Sequence, residues 1–221
     1  MRWRVGLVDS GADGVPLVAA RRFGGDGGPL PVVADPTGHG TRVAALLAGH
    51  GAPELLLAQV FDSDRPTTAA AVAAAVDWCR AQGAGLVHLS LGLAADRALL
   101  AAAIARAVAA GCLIVAATPA RGNPVYPAAY PGVIRATGDA RCAPGEISRL
   151  AAATFGGCVR PGAAGGRGAS IGAARVSRAL IDSVAAGTRA GAAVQALAAR
   201  ARYDGPERRR AAAPHLRGQP S

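Results

Sequence analysis

Three side chains, Asp9, His39 and Ser170, have the types needed for nucleophilic catalysis. A serine hydroxyl is a poor nucleophile until an imidazole takes its proton. A carboxylate on the far side of the imidazole fixes its tautomer and stabilises the imidazolium that forms. Asp9 closes the apolar run Val5 to Val8, His39 sits in GHGTRVAALLAG, and Ser170 in GRGASIGAARV. Each also has a purely structural reading. Asp9-Ser10-Gly11 is an ordinary turn, His39 between glycines is a loop histidine, and Ser170 ahead of an alanine-rich run is a helix N-cap.

What distinguishes these three is where the predicted elements put them. Val5 to Val8, Leu55 to Phe61, Gly85 to Leu91, Cys112 to Ala117 and Val133 to Ala136 form short apolar runs that predict buried strands. Helical spacing is expected from His39 to about Gly49, from a Thr67-Thr68 cap through Arg80, and from about Asp96 to Ala109. Two more helices are expected, from Ser170 to about Ala186 and from about Ala190 to Arg200. Residues 21 to 38 are expected to form a loop with little regular structure. Strands alternating with helices predict an α/β fold: a three-layer, doubly wound, mostly parallel sheet with helices on both faces. Ligands of such sheets bind outside the carboxyl ends of the strands. Asp9 ends a strand while His39 and Ser170 each begin a helix, so all three can converge on that edge.

The composition allows one sizeable domain, expected over residues 1–202, with a flexible basic tail over 203–221. Its 51% hydrophobic content with only 4% aromatics calls for a core of Ala, Val, Leu and Ile. The formal charge of +10 comes wholly from arginine, scattered along the chain except at Arg208-Arg209-Arg210. Without one basic patch interleaved with aromatics, nucleic acid is not the expected partner, although an arginine-rich binder of acidic peptides is a minor alternative. Cys79 and Cys112 lie in apolar surroundings and are expected to be buried, whereas Cys142 and Cys158 flank an irregular segment and could pair. No cysteine pair has metal-ligand spacing, and Asp62-Ser63-Asp64 is too sparse for a calcium loop, so no metal or cofactor is expected. The N-terminal MRWRVGLVD runs straight into a strand, and every apolar stretch of spanning length is interrupted by charge. These features predict a cytoplasmic protein with no membrane partner.

The motifs, taken in order, resemble those of the subtilisin-like serine proteases. VDSGAD resembles that family's aspartate motif, GHGTRVAALLAG its histidine motif and LVHLSLG its substrate-lining strand. YPAAYPGVIRATGD resembles the stretch after the oxyanion loop, and GASIGAARV the serine motif G-T-S-x-A-x-P. The resemblance implies Asp9 as orienting acid, His39 as general base and Ser170 as nucleophile, in the Asp…His…Ser order of subtilisin. It also implies that an extended peptide pairs as an added strand with the backbone of Ser90, Leu91 and Gly92.

The chain departs from the family pattern in two places. Ala169, Gly172 and Ala174 replace the threonine, alanine and proline of the serine motif. The family's oxyanion asparagine is replaced by Ala120 in an ungapped alignment, while a short insertion would bring Asn123 to that place. Asn123 is the chain's single asparagine, and before a proline it is also an ordinary turn residue. The expected function is a serine endopeptidase, with limited processing of a precursor or leader peptide as its task. A partner protein of a processing complex is compatible with that role. The alternative is a catalytically weak or inactive subtilase-like domain that binds peptide or a partner protein.

Overall fold

A computed structural model describes residues 3–49, 53–62, 66–160 and 168–207. The chain alternates strands and helices: β1 (Arg4–Asp9), β2 (Ala19–Phe23), β3 (Pro29–Leu30), α1 (His39–Ala48), β4 (Glu54–Gln59), α2 (Ala69–Ala81), β5 (Leu86–Leu89) and α3 (Ala98–Ala109). There follow β6 (Leu113–Ala117), β7 (Val133–Asp139), β8 (Ile147–Ala151), β9 (Thr154–Cys158), α4 (Ala169–Ala185), α5 (Ala190–Ala199) and β10 (Tyr203–Asp204). The strands form one sheet in the order β10-β8-β9-β7-β6-β5-β1-β4-β2-β3. All pairings are parallel except the β2–β3 and β8–β9 hairpins.

Strands buried on both faces explain the continuous apolar runs of the sequence. On one face Val8, Val87, Leu89, Ile114 and Ala116 pack against α2 and α3. On the other, Val5, Leu7, Leu86, Val115 and Phe155 pack against α1, α4 and α5. Alternation along β5 therefore assigns Leu86, His88 and Ser90 to the α4 side, the side that Asp9 shares with Val5 and Leu7. Helix α4 lies unusually close to β7 and β9. A Cβ at Gly172 would fall against the Thr137 carbonyl oxygen and 2.5 Å from Gly138 Cα, and one at Gly157 would meet the Gly172 carbonyl. Glycine at the helix–sheet contact is thus a packing requirement, which accounts for Gly172 in the serine motif.

The structure corrects several expectations. Residues 19–23, which overlap the expected loop, form a strand that pairs with β4 through 19–22, carried by backbone registration despite the exposed Ala20 and Arg21. The β8–β9 hairpin was absent from the expected elements because ISRLA and glycine-rich TFGGC carry no clear alternation. Tyr203 and Asp204, expected in the tail, pair with β8, and Arg149 holds Asp204 by two hydrogen bonds of 3.1 and 2.7 Å. The rest of the expected tail from residue 208 lies outside the described residues, as does Asp64. Cys142 and Cys158 are not joined: all four cysteines are free and buried. Burial pushes the Cys142 thiol up to about 11 and that of Cys112 to about 12, so both behave as small apolar groups. Among the described residues no helix is long and apolar enough to cross a membrane.

Candidate active site

Asp9 is the last residue of β1, and its side chain is 1% exposed. His39 is the first residue of α1, after Gly38 in the left-handed region at φ 65°. The His39 Nδ1 lies 2.8 Å from Asp9 Oδ1. That hydrogen bond raises the imidazole pKa above its ordinary value, against the opposing effect of burial. Gly40 makes the approach possible. A Cβ there would lie against the Gly11 carbonyl oxygen, 2.5 Å from Gly11 N and 3.1 Å from Asp9 Oδ1.

Two residues that the motif reading did not single out support this pair. The Ser10 Oγ accepts from Gly40 N at 3.0 Å and shares a 2.9 Å hydrogen bond with Thr37 Oγ1, tying the β1 turn to the α1 entrance. The Asp35 carboxylate accepts from Thr37 N, Gly38 N, Thr41 N and the Thr41 hydroxyl, organising the turn into α1. Burial alone would raise the Asp35 pKa, but these hydrogen bonds outweigh it and hold the carboxyl at about 2. The signal was present in DPTGHGT, where an Asp precedes a helix start by a few residues.

Ser170 is the second residue of α4 and not its N-cap. Gly168, at φ 101°, takes the cap position and makes no side-chain cap bond. The Ser170 hydroxyl donates to the Ser90 carbonyl at 3.3 Å, and no hydrogen bond joins it to His39. A cavity of about 270 Å³ is lined by Ser170 and Ala169, by Ser90, Leu91 and Gly92, and by Thr118 and Val125 among others. A second cavity of about 310 Å³ holds Asp9, Ser10, Thr37 and His39, and Ser90 lines it too. Ser90 therefore joins the Asp–His pair to the serine. Leu91 and Gly92 run along the cavity wall between the end of β5 and an antiparallel bridge joining Leu93 to Tyr126. The structure thus gathers six of the seven expected site residues around two cavities that share Ser90.

Asn123 is the exception. It is exposed and lines neither cavity, and the segment past β6 that borders the Ser170 cavity is Ala117, Thr118 and Pro119. Among the described residues no three His, Cys, Asp or Glu side chains are grouped to hold a metal.

A subtilase-family sequence profile matches residues 23–199, a span that includes His39 and Ser170. The chain belongs to the subtilase family. Asp9 lies upstream of the matched span, so its place rests on its hydrogen bond to His39. One curated relative, the minor extracellular protease Epr of Bacillus subtilis (strain 168), is 34% identical over 113 residues, covering 45% of this chain. The match spans 18% of Epr's length. Among solved structures, the protease domain of PatA is similar with a TM-score of 0.65 and 19% identity, covering 84% of this chain and 81% of that one. The prenylagaramide maturation protease PagA has a TM-score of 0.64 and 19% identity, covering 85% and 78%. At those identities the two structures speak to the fold, which is subtilisin-like.

Proposed function

We propose that this subtilase is a serine endopeptidase in which Ser170 attacks the peptide carbonyl, His39 takes its proton and Asp9 holds His39. The observation that carries the reading is the 2.8 Å Asp9–His39 hydrogen bond opening on a cavity that shares Ser90 with the cavity of Ser170. In this reading the Ser170 hydroxyl leaves the Ser90 carbonyl to engage His39, and side-chain rotations of that kind take picoseconds to nanoseconds. Attack forms the Oγ–C bond as the proton passes to His39 Nε2. The imidazolium then returns that proton to the leaving amine as the C–N bond breaks, and water releases the acyl group by the same relay.

Oxyanion stabilisation in this reading falls first to the backbone. The Ser170 N–H lies in the first turn of α4, where it has no intrahelical acceptor, at the positive end of a seventeen-residue helix. Losing one side-chain donor costs roughly a hundred- to a thousandfold in turnover, so a site relying on backbone donors is slow but competent. An extended peptide lies along Ser90, Leu91 and Gly92, with the side chain before the cut in the Ser170 cavity. Processing of a precursor peptide is the task we favour, because PagA, of similar fold, is a maturation protease.

The test is labelling by a fluorophosphonate probe. Labelling of the wild type that disappears in both Ser170→Ala and His39→Ala supports the reading. A second reading, a peptide-binding domain of little activity, is favoured by the engagement of the Ser170 hydroxyl with Ser90 instead of His39. It predicts unlabelled, folded wild-type protein that still binds peptide.

A further inference from the structure

Beneath the cavities lies a fully buried imidazole that the proposed mechanism does not use. The His88 Nδ1 is 2.9 Å from Ser177 Oγ on α4, and its Nε2 is 2.8 Å from Ser90 Oγ. His88 and Ser177 are 0% exposed. Burial depresses the His88 pKa to about 4, so at neutral pH the ring carries a single proton. The partners of the two nitrogens decide which one carries it.

Ser177 is in a helix interior, where a serine hydroxyl commonly donates to the carbonyl four residues back. Ser183 does so on the same helix, donating to Ala179 O at 2.9 Å. Ser177 does not, and His88 Nδ1 is its single side-chain partner among the described residues. A buried hydroxyl proton left without an acceptor costs free energy, so Ser177 donates to an unprotonated Nδ1. The ring proton is then on Nε2, and Nε2–H donates to Ser90 Oγ. The Ser90 oxygen is filled from below, and its own proton is left to point into the cavity. An acceptor without a donor belongs to the neighbouring strand. Asp9 Oδ2 is buried with no hydrogen-bond partner among the described residues. Strands β1 and β5 run in register with Val8 opposite Leu89, so Asp9 and Ser90 are the next residues on neighbouring strands. Both face the α4 side of the sheet and line the same cavity.

We infer that His88 is a positioning residue: through the Ser177–His88–Ser90 chain it leaves the Ser90 hydroxyl proton to be given to the second oxygen of Asp9, which is buried without a partner among the described residues. The Asp9 carboxylate is then held at both oxygens, with Oδ1 on His39 and Oδ2 on Ser90. This restrains the carboxylate plane and hence the His39 ring. The chain also links the Ser170 helix to the strand carrying Ser90, so one network sets the spacing of base and nucleophile. The inference rests on the proposed roles of Asp9, His39 and Ser170.

Two measurements test it. In [¹⁵N]histidine-labelled wild type, the imidazole that stays neutral down to about pH 4 is His88, and its Nδ1 is expected to be unprotonated and its Nε2 protonated. A protonated Nδ1, or an imidazolium at neutral pH, overturns the inference whether or not the protein is active. The second measurement is the rate of fluorophosphonate labelling of Ser170. Ser90→Ala is expected to slow it by roughly ten- to a hundredfold, the worth of a hydrogen bond to a charged acceptor. His88→Leu is expected to slow labelling similarly in the wild type, yet by less than about threefold in the Ser90→Ala background. Independent, multiplicative effects would make His88 merely structural and sink the idea. Absence of labelling in the wild type defeats the nucleophile reading instead, and the nitrogen spectrum alone then decides on His88.

Discussion

Replacing Gly172 by alanine gives this chain the residue that its family's serine motif carries, and alanine is the better helix former by about 1 kcal/mol. By propensity alone the change should stabilise α4. Packing reverses the sign. The new methyl would fall against the Thr137 carbonyl oxygen, 2.5 Å from Gly138 Cα and 2.7 Å from Gly138 N. These are backbone atoms of a central strand and cannot swing aside, so α4 must move off β7. Overpacking against backbone that cannot yield sits at the upper end of the usual range, about 3 kcal/mol. Subtracting the propensity gain leaves a net loss of about 2 kcal/mol, which at this chain length is a fall in Tm of about 4 to 8 °C. Thermal unfolding followed by circular dichroism measures it. Because Ser170 is two residues away, its rate of fluorophosphonate labelling should fall as well. An unchanged or higher Tm would refute the argument that the glycine is required by close helix–sheet approach.

The remaining predictions concern the site. The pH–rate profile should rise through an ascending limb with its midpoint above 6.5, because the Asp9 hydrogen bond raises the His39 pKa and only the neutral imidazole acts as base. The same shift stabilises the fold fully below 6.5, and that contribution is lost as pH rises through the raised pKa. Asp9→Asn should slow turnover by about 10⁴-fold and lower the midpoint; a midpoint that stays put would break the assigned coupling. Gly40→Ala should separate α1 from the β1 turn and cost at least tenfold in labelling rate, since small misplacements of reacting groups are expensive. Asn123→Ala should change turnover by less than about threefold, whereas an oxyanion donor would cost a hundredfold or more. A large loss there would show that the loop closes over the site when substrate binds.

The central strands and five helices were legible because buried parallel strands read as unbroken apolar runs and amphipathic helices keep their period. Thr68 was legible as a cap and accepts from Ala71 N at 3.1 Å, since capping is local chemistry. Asp9, His39 and Ser170 were legible as candidates through local motifs at predicted element ends. Strands β2, β3, β8, β9 and β10 were not, because they are short or glycine-rich and carry little alternation, and because β2 and β10 find their parallel partners β4 and β8 far along the chain. Asn123 drew attention as the chain's single asparagine, but identity in sequence does not fix where a loop points.

The sequence by itself determined the layer architecture and the identity of the acid, base and nucleophile candidates, because period, capping and motif order are properties of neighbouring residues. Only the tertiary structure decided that Ser170 lies inside the first turn with Gly168 as the cap, that Gly172 is required by the nearness of β7, and that His88 links Ser177 to Ser90. Each of those depends on the distance between elements separated by tens of residues. That distance is set by the collective packing of the sheet and its helices, which no local pattern encodes.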